Sequence, residues 1–212
     1  MTERLKRIFN EIPNGKVFAD IGCDHGYIAK AVLKSGKAEK VIISDISAKC
    51  LSKAEALLDT EIKSGKATSV VSNGFEKVGA CDTALIAGMG GEEIVNILDS
   101  ATFLPQKLIL QPMKNCDKVR VKAIELGYRF VCDFVFKAGG KYYDLMSLEK
   151  GADSLTEEEI EFGRDNLLGD NADFKQMLTE QVEKFVNYAK ALEEGESKLR
   201  LEKQIEKLKR YI

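Results

Sequence analysis

Histidine occurs once in 212 residues, and the five cysteines (Cys23, Cys50, Cys81, Cys116 and Cys132) include no C-x-x-C pair. So thin a supply of soft ligands argues against zinc, and no metal is expected. The cysteines are odd in number and scattered, so they read as free thiols of a reducing compartment rather than a disulfide framework. No stretch approaches about 18 apolar residues, and the charged start Met1-Thr-Glu-Arg-Leu-Lys-Arg7 leads into no apolar run. No membrane span or secretory leader is expected, and a cytoplasmic location is. Repeats and low-complexity tracts are also missing. A net charge of −2 gives no global attraction to nucleic acid. The charge is unevenly placed, however. Residues 1–150 hold 22 Lys+Arg against 19 Asp+Glu, residues 151–172 hold 1 against 7, and residues 173–212 hold 9 against 8. The mildly basic first part suits RNA and suits an ordinary solvated surface equally well.

What is present is an alternation of strands and helices. Leu5, Ile8 and Phe9 mark a first helix over residues 2–11, stopped by Pro13-Asn14-Gly15. Apolar runs predict strands at Val17–Ile21, Lys40–Asp45, Thr68–Ser72, Asp82–Gly88 and Lys107–Gln111, the last broken by Pro112. Helices are expected from Tyr27 to Lys34, from a Ser47 cap to Ser64-Gly65, over Glu92–Leu98 and over Asp117–Leu126. Tyr128–Lys137 and Tyr142–Leu148 form a final hairpin around Gly139-Gly140. The result is a doubly wound, mostly parallel α/β sheet carrying one antiparallel strand. After residue 152 the pattern changes to helices, starting at Thr156 and continuing as two amphipathic stretches joined near Gly195. Domains 1–152 and 153–212 follow, the second an antiparallel helical hairpin resembling a coiled coil.

Ligands of such sheets bind at the carboxyl ends of the strands. Asp20 to Gly26, Asp45, Asn73-Gly74, Gly88-Met89 and Gln111-Pro112 all fall there. The first turn reads Asp20-x-Gly22-x-Asp24-x-Gly26, with an acid at the strand end where a dinucleotide fingerprint has glycine. Asp45, 25 residues beyond Asp20, can accept both hydroxyls of a ribose, from NAD or from S-adenosylmethionine. A carboxylate near a pyrophosphate repels it, whereas one near an amino-acid ammonium attracts it. The methyl donor is therefore preferred. Bland roles stay open for each residue: turn glycines at 22 and 26, a helix cap at Asp45, a phosphate-cradling turn or connector at Gly88–Gly91. Asp82, at the far end of its strand, reads as structural.

Four segments, Ala19-Asp-Ile-Gly-Cys-Asp-His-Gly-Tyr27, Ile86-Ala-Gly-Met-Gly-Gly91, Leu108-Ile-Leu-Gln-Pro112 and Gly140-Lys-Tyr-Tyr143, together resemble the bacterial tRNA (adenine-22-N1)-methyltransferase family, TrmK. The resemblance covers nearly the whole chain. It implies a class I, Rossmann-like methyltransferase domain with a seven-stranded sheet, a C-terminal coiled coil, S-adenosylmethionine as donor and tRNA as partner. Carried over by position, Asp20, Gly22 and Gly26 belong to the donor site, the first two at the methionine end. Asp45, with Ile46 beside it, would hold the ribose. Asn73 and Gly74 would flank the adenine, and Ala87, Gly88 and Met89 would close over the donor. Gln111 and Pro112 would face the acceptor. Relatives often have Asn after this Gln-Pro pair, and here Met113 offers only apolar packing.

For the transfer itself, Asp24 is the candidate to face the adenine amine or offset product charge, and Tyr27 to stack on the flipped base. His25 would touch phosphate, serve as a hydrogen-bond partner or cap the following helix. Arg4, Lys6 and Arg7 are candidate phosphate contacts. The terminal hairpin either embraces tRNA through Lys198, Arg200, Lys203, Lys207, Lys209 and Arg210 or serves stability or dimerisation. A monomer is expected in preference to a dimer. Two other functions fit the same residues: a small-molecule methyltransferase, and a nucleotide-binding module without catalysis.

Overall fold

The computed structural model describes residues 1–212. Thr2 accepts the Leu5 N–H and starts α1 (Glu3–Glu11), which buries Ile8. Seven strands form one sheet: β1 (Val17–Ile21), β2 (Lys40–Asp45), β3 (Ala67–Val71), β4 (Thr83–Met89), β5 (Lys107–Pro112), β6 (Tyr128–Ala138) and β7 (Lys141–Lys150). Their order is β3-β2-β1-β4-β5-β7-β6, and β7 alone runs antiparallel. This is the doubly wound sheet the alternating pattern implies. Asp82 is structural as expected, its carboxylate accepting the Lys16 and Val17 N–H groups at 2.6 and 2.9 Å.

Side-chain alternation along the strands divides the core into two layers. Leu85 and Ile109 point to one face, beneath α1, α2 (Tyr27–Ser35) and α3 (Ala48–Leu57). Ala84, Ile86, Leu108 and Leu110 point to the other, beneath α5 (Gly91–Asp99) and α6 (Cys116–Glu125). Both faces of the central strands are thus covered, which explains their nearly unbroken apolar sequence.

Most element ends fall within two residues of the sequence expectation, and two departures have a clear cause. The helix expected to run unbroken to Ser64 bends at Leu58, and α4 (Asp59–Lys63) follows. Leu58 is fully buried there, and Lys30 bonds both the Leu57 carbonyl and the Glu61 carboxylate. Pro112 stops β5 as expected, but as its last residue and not the one after it. It stands opposite Met89, where the pairing slips by one residue after Ala87, so its missing N–H falls at an irregularity of the ladder.

The acidic stretch has a structural explanation. β6 is an edge strand, and its outward N–H groups need partners. Asp153 accepts from Phe130, Asp165 from Asp133, Asn166 from Val135 and Asp173 from Lys137, each at 2.8 or 2.9 Å. Asp165 and Asn166 lie in α8 (Arg164–Leu168), and Asp153 lies in the segment before α7 (Glu157–Phe162). Buried Arg120 of α6 adds a second link. It forks onto Asp133, bonds Asp144 and donates to the Ile160 and Glu161 carbonyls of α7. Replacing Asp165 by Ala leaves the Asp133 N–H unpaired, and we expect a loss of about 1–2 kcal/mol in urea unfolding. Asp165→Asn, whose amide oxygen can still accept, should recover most of it.

The final hairpin forms as the pattern implies, α10 (Glu196–Lys209) folding back along α9 (Ala172–Ala191) with Phe174, Leu178 and Leu208 buried together. The basic side chains of α10 and its C-terminal end are partly engaged. Lys198, Arg200, Lys207 and Lys209 pair with Glu194, Glu196, Glu161 and Glu206, leaving Lys203 and Arg210 free of ion pairs. No helix is long and apolar enough to cross a membrane.

Candidate active site

The carboxyl ends of β1, β2, β3 and β4 open into a cleft of about 750 Å³. The turn after β1 shapes its floor. Gly22 and Cys23 donate N–H bonds to the Ser44 carbonyl at 2.8 and 3.0 Å, tying this turn to β2. Gly22 has φ +72°, and a Cβ there would stand 2.0 Å from Met89 Cε. Glycine at 22 therefore serves two ends, a left-handed backbone and room for Met89 to lie across the turn.

Asp20, Gly22, Asp24, His25, Tyr27, Asp45, Ile46, Asn73, Gly74, Ala87, Gly88 and Met89 all line this cleft. Gly26 does not. It starts α2 and packs against Ala54 of α3 and Leu58 at its end. Gln111 and Pro112 do not line it either. Gln111 is fully buried and reaches the cleft through Arg4, whose Nη1 donates to its Oε1 at 2.6 Å. Arg4 is thus a wall of the cleft and not a simple surface cation. Arg7 lies away from the cleft, over the Phe134 ring at 4.5 Å. Gly91 is no phosphate cradle, because a Cβ there would lie 2.3 Å from the Asn115 carbonyl oxygen. The small residue lets α5 approach the loop after β5. Sequence reasoning missed Leu5, Ser72, Glu93, Asn96, Ile97 and Ser100 as lining residues. Four of them belong to α5 and its cap, whose helical spacing gave the only available signal.

The electrostatics separate the acids. Asp20 is buried with no cation beside it, and desolvation pushes its carboxyl up to about 7 despite a bond from the Ala29 backbone. Asp45 accepts the Ser47 N–H through Oδ1 at 2.8 Å, while Ser47 itself caps α3. The capping role is therefore Ser47's, and Asp45 Oδ2 stays free for a ligand. Asp24 has φ +46°, a left-handed value uncommon outside glycine, asparagine and aspartate. Its carboxylate meets His25 Nδ1 at 2.6 Å and Lys53 Nζ at 3.4 Å. Slight desolvation pushes its pKa up, but the His25 and Lys53 contacts hold it below the ordinary value. His25 does not cap α2. Its ring lies parallel to Tyr27, centroids 5.4 Å apart. Cys23 also lines the cleft, but burial, then Asp20 and Asp45, push its thiol far up, so it stays protonated.

A doubly wound sheet with one antiparallel strand next to the far edge, and a ligand-ready carboxylate ending each of its first two strands, is the architecture of a class I methyltransferase. The chain belongs to the methyltransferase family: residues 1–146 match the family described as "Methyltransferase domain". Among curated relatives, it is 28% identical over 174 residues to the tRNA (adenine(22)-N(1))-methyltransferase of Bacillus subtilis, covering 80% of this chain and 73% of that one. Among solved structures, the M. capricolum TrmK complex with S-adenosyl-homocysteine superposes with a TM-score of 0.88 at 23% identity, covering 100% of this chain and 97% of that one. Sp1610 of Streptococcus pneumoniae gives a TM-score of 0.91 at 23% identity, with coverage of 100% and 99%. At these identities the structural likeness speaks for the fold, and it extends through the C-terminal helices.

Proposed function

We propose that this chain is an S-adenosylmethionine-dependent enzyme that methylates N1 of adenine 22 in tRNA. The observation that carries the proposal is one cleft with two unlike halves: a buried Asp20 with no cation beside it, and Asp45, on the donor side, and ionised Asp24 with His25 and Tyr27 at the rim. The residues present fit the donor. Asp20 would take its ammonium, Asp45 Oδ2 its ribose hydroxyls, and Asn73 and Gly74 would flank its adenine. Ile46, which is 71% exposed, would cover that ring, and Met89 would lie across the methionine end. The B. subtilis relative carries the adenine-22 specificity in its name and shares most of this chain's length.

When bound, S-adenosylmethionine supplies a sulfonium methyl open to direct displacement. Adenine N1 carries an in-plane lone pair, so the site needs no base to activate it. It needs alignment and negative charge where the ring becomes cationic. Asp24 supplies that charge at the rim, kept ionised by His25 and Lys53. Tyr27, half exposed, offers a stacking face to an extruded base, and the His25 ring lies parallel to it. Incubation with labelled donor and unmodified tRNA should place the label in N1-methyladenosine. Label in another nucleoside, or in small molecules alone, would reject the proposal.

Gly22→Ala should weaken S-adenosylhomocysteine binding about tenfold, since Met89 must leave its place and alanine resists a left-handed backbone by about 1–2 kcal/mol. Adding Met89→Ala should restore part of the affinity by removing the clash and not the strain. Calorimetric titration of the three proteins checks both steps.

A further inference from the structure

Tyr27 and Ile46 are exposed apolar side chains that line the cleft, and a third, Met113, stands beside it, 51% exposed on the turn after β5. The backbone of that turn is pinned. Met113 donates its N–H to the Met89 carbonyl at 2.8 Å, and the Lys114 carbonyl accepts the Gly91 N–H at 2.9 Å. Asn115 follows at φ +54°, a left-handed value, and its side chain does not cap α6. The Met113 sulfur accepts from Nε2 of buried Gln111 at 3.5 Å, so the side chain is held as well. Lys114 is exposed and lies along Gly90, where its Cε would meet an added Cβ at 3.2 Å. It pairs with no carboxylate, Glu92 being taken by Lys118 instead. An exposed methionine is ordinary in itself. Here a rigid turn presents it, followed by a free cation, at the mouth of a cleft.

Adenine N1 lies on the Watson–Crick edge. In a base pair its lone pair is occupied, so a paired adenine must leave the stack before N1 can reach a donor. The space it vacates has to be filled, or the neighbouring bases close it and draw the adenine back. We propose that Met113 enters the stack as adenine 22 leaves it and holds the gap open. This rests on the proposed function and adds a positioning residue to it. The geometry separates two tasks. Tyr27, inside the cleft, meets the extruded base. Met113 follows β5 and Tyr27 follows β1, two strands away across β4, a distance of about 10 Å. The base passes between them, over the Gly88-Met89 end of β4. Apolar wedges of this kind, Met among them, serve proteins that unstack base steps. An unbranched, polarisable thioether packs against the flat face of either neighbouring base. Lys114, one residue on, reaches a phosphate that flanks the vacated position.

Two tRNA transcripts isolate this role, one with A22 paired and one with the opposite nucleotide changed so that no pair forms. Single-turnover methylation of each by wild type, Met113→Ala and Met113→Leu, at saturating donor, gives the decisive ratio. Met113→Ala should lose about ten- to a hundredfold on the paired transcript and less than about threefold on the unpaired one, where extrusion costs little. Met113→Leu, which keeps the apolar bulk, should stay within about threefold of wild type on both. All three proteins should bind S-adenosylhomocysteine alike, because Met113 lies outside the cleft. A Met113→Ala loss that is equal on the two transcripts, or no loss on either, overturns the inference. So does a fall in S-adenosylhomocysteine affinity, which assigns Met113 to the donor site. If wild type methylates A22 in neither transcript, the proposed function itself is wrong and the wedge falls with it.

Discussion

Asp20→Asn lowers the affinity for S-adenosylhomocysteine by about a hundredfold or more at pH 8, and at the same pH it stabilises the ligand-free protein. Both effects come from one buried carboxyl. Removing one partner of a buried charge pair costs about 2–5 kcal/mol, which covers the first effect. The second follows from linkage. Burial raises the Asp20 pKa from 3.8 to about 7. A raised pKa means the folded state prefers the protonated acid, so its contribution is complete below about 3.8 and is lost as pH rises through about 7. Ligand-free wild type should therefore lose stability across that window, and the asparagine variant should not. The two melting temperatures converge near pH 4 and separate toward pH 8. Ligand binding reverses the preference, because an ammonium favours the ionised acid. Wild-type affinity should fall roughly tenfold per unit below pH 7, and the variant's should stay flat. A parallel pH profile for both proteins would remove Asp20 from the donor site.

Asp24→Asn is expected to cut kcat by about a hundred- to a thousandfold while donor affinity changes less than about threefold. Asparagine keeps the shape and tolerates the left-handed backbone, so only the charge is removed. The measurement separates single-turnover methylation of tRNA from titration with S-adenosylhomocysteine. If turnover at saturating donor survives and donor binding collapses, Asp24 is a cofactor ligand and the division of the turn into two halves is wrong.

Much of this was legible before any coordinates. The order of strands follows from apolar runs separated by helical spacing, and the site follows from acids and glycines that fall at strand ends. Asp20, Gly22 and Asp45 are legible because a backbone turn and a strand end fix where they stand. Other parts are not local. Asp153, Asp165 and Asp173 carry no local sign of a partner, yet they complete the open edge of β6, a pairing set by the return of the chain more than 20 residues later. Gly26 reads as a ligand glycine because it shares the turn of Asp20 and Gly22, but helix packing against Ala54 requires it. Arg4 reads as a phosphate contact on the first helix. Only the docking of α1 over β5 brings it to Gln111, more than 100 residues away. Long side chains take their partners from tertiary structure, and spacing cannot reveal them.

The central claim is that this cleft transfers a methyl group to N1 of adenine 22. The most direct test uses two unmodified tRNA transcripts, one with A22 and one with G22, incubated with enzyme and donor and mapped by nucleoside mass and by primer-extension arrest. One N1-methyladenosine at position 22 of the first transcript, and none in the second, is the predicted result. Equal methylation of both transcripts, or a methyl group at any other atom, would contradict it.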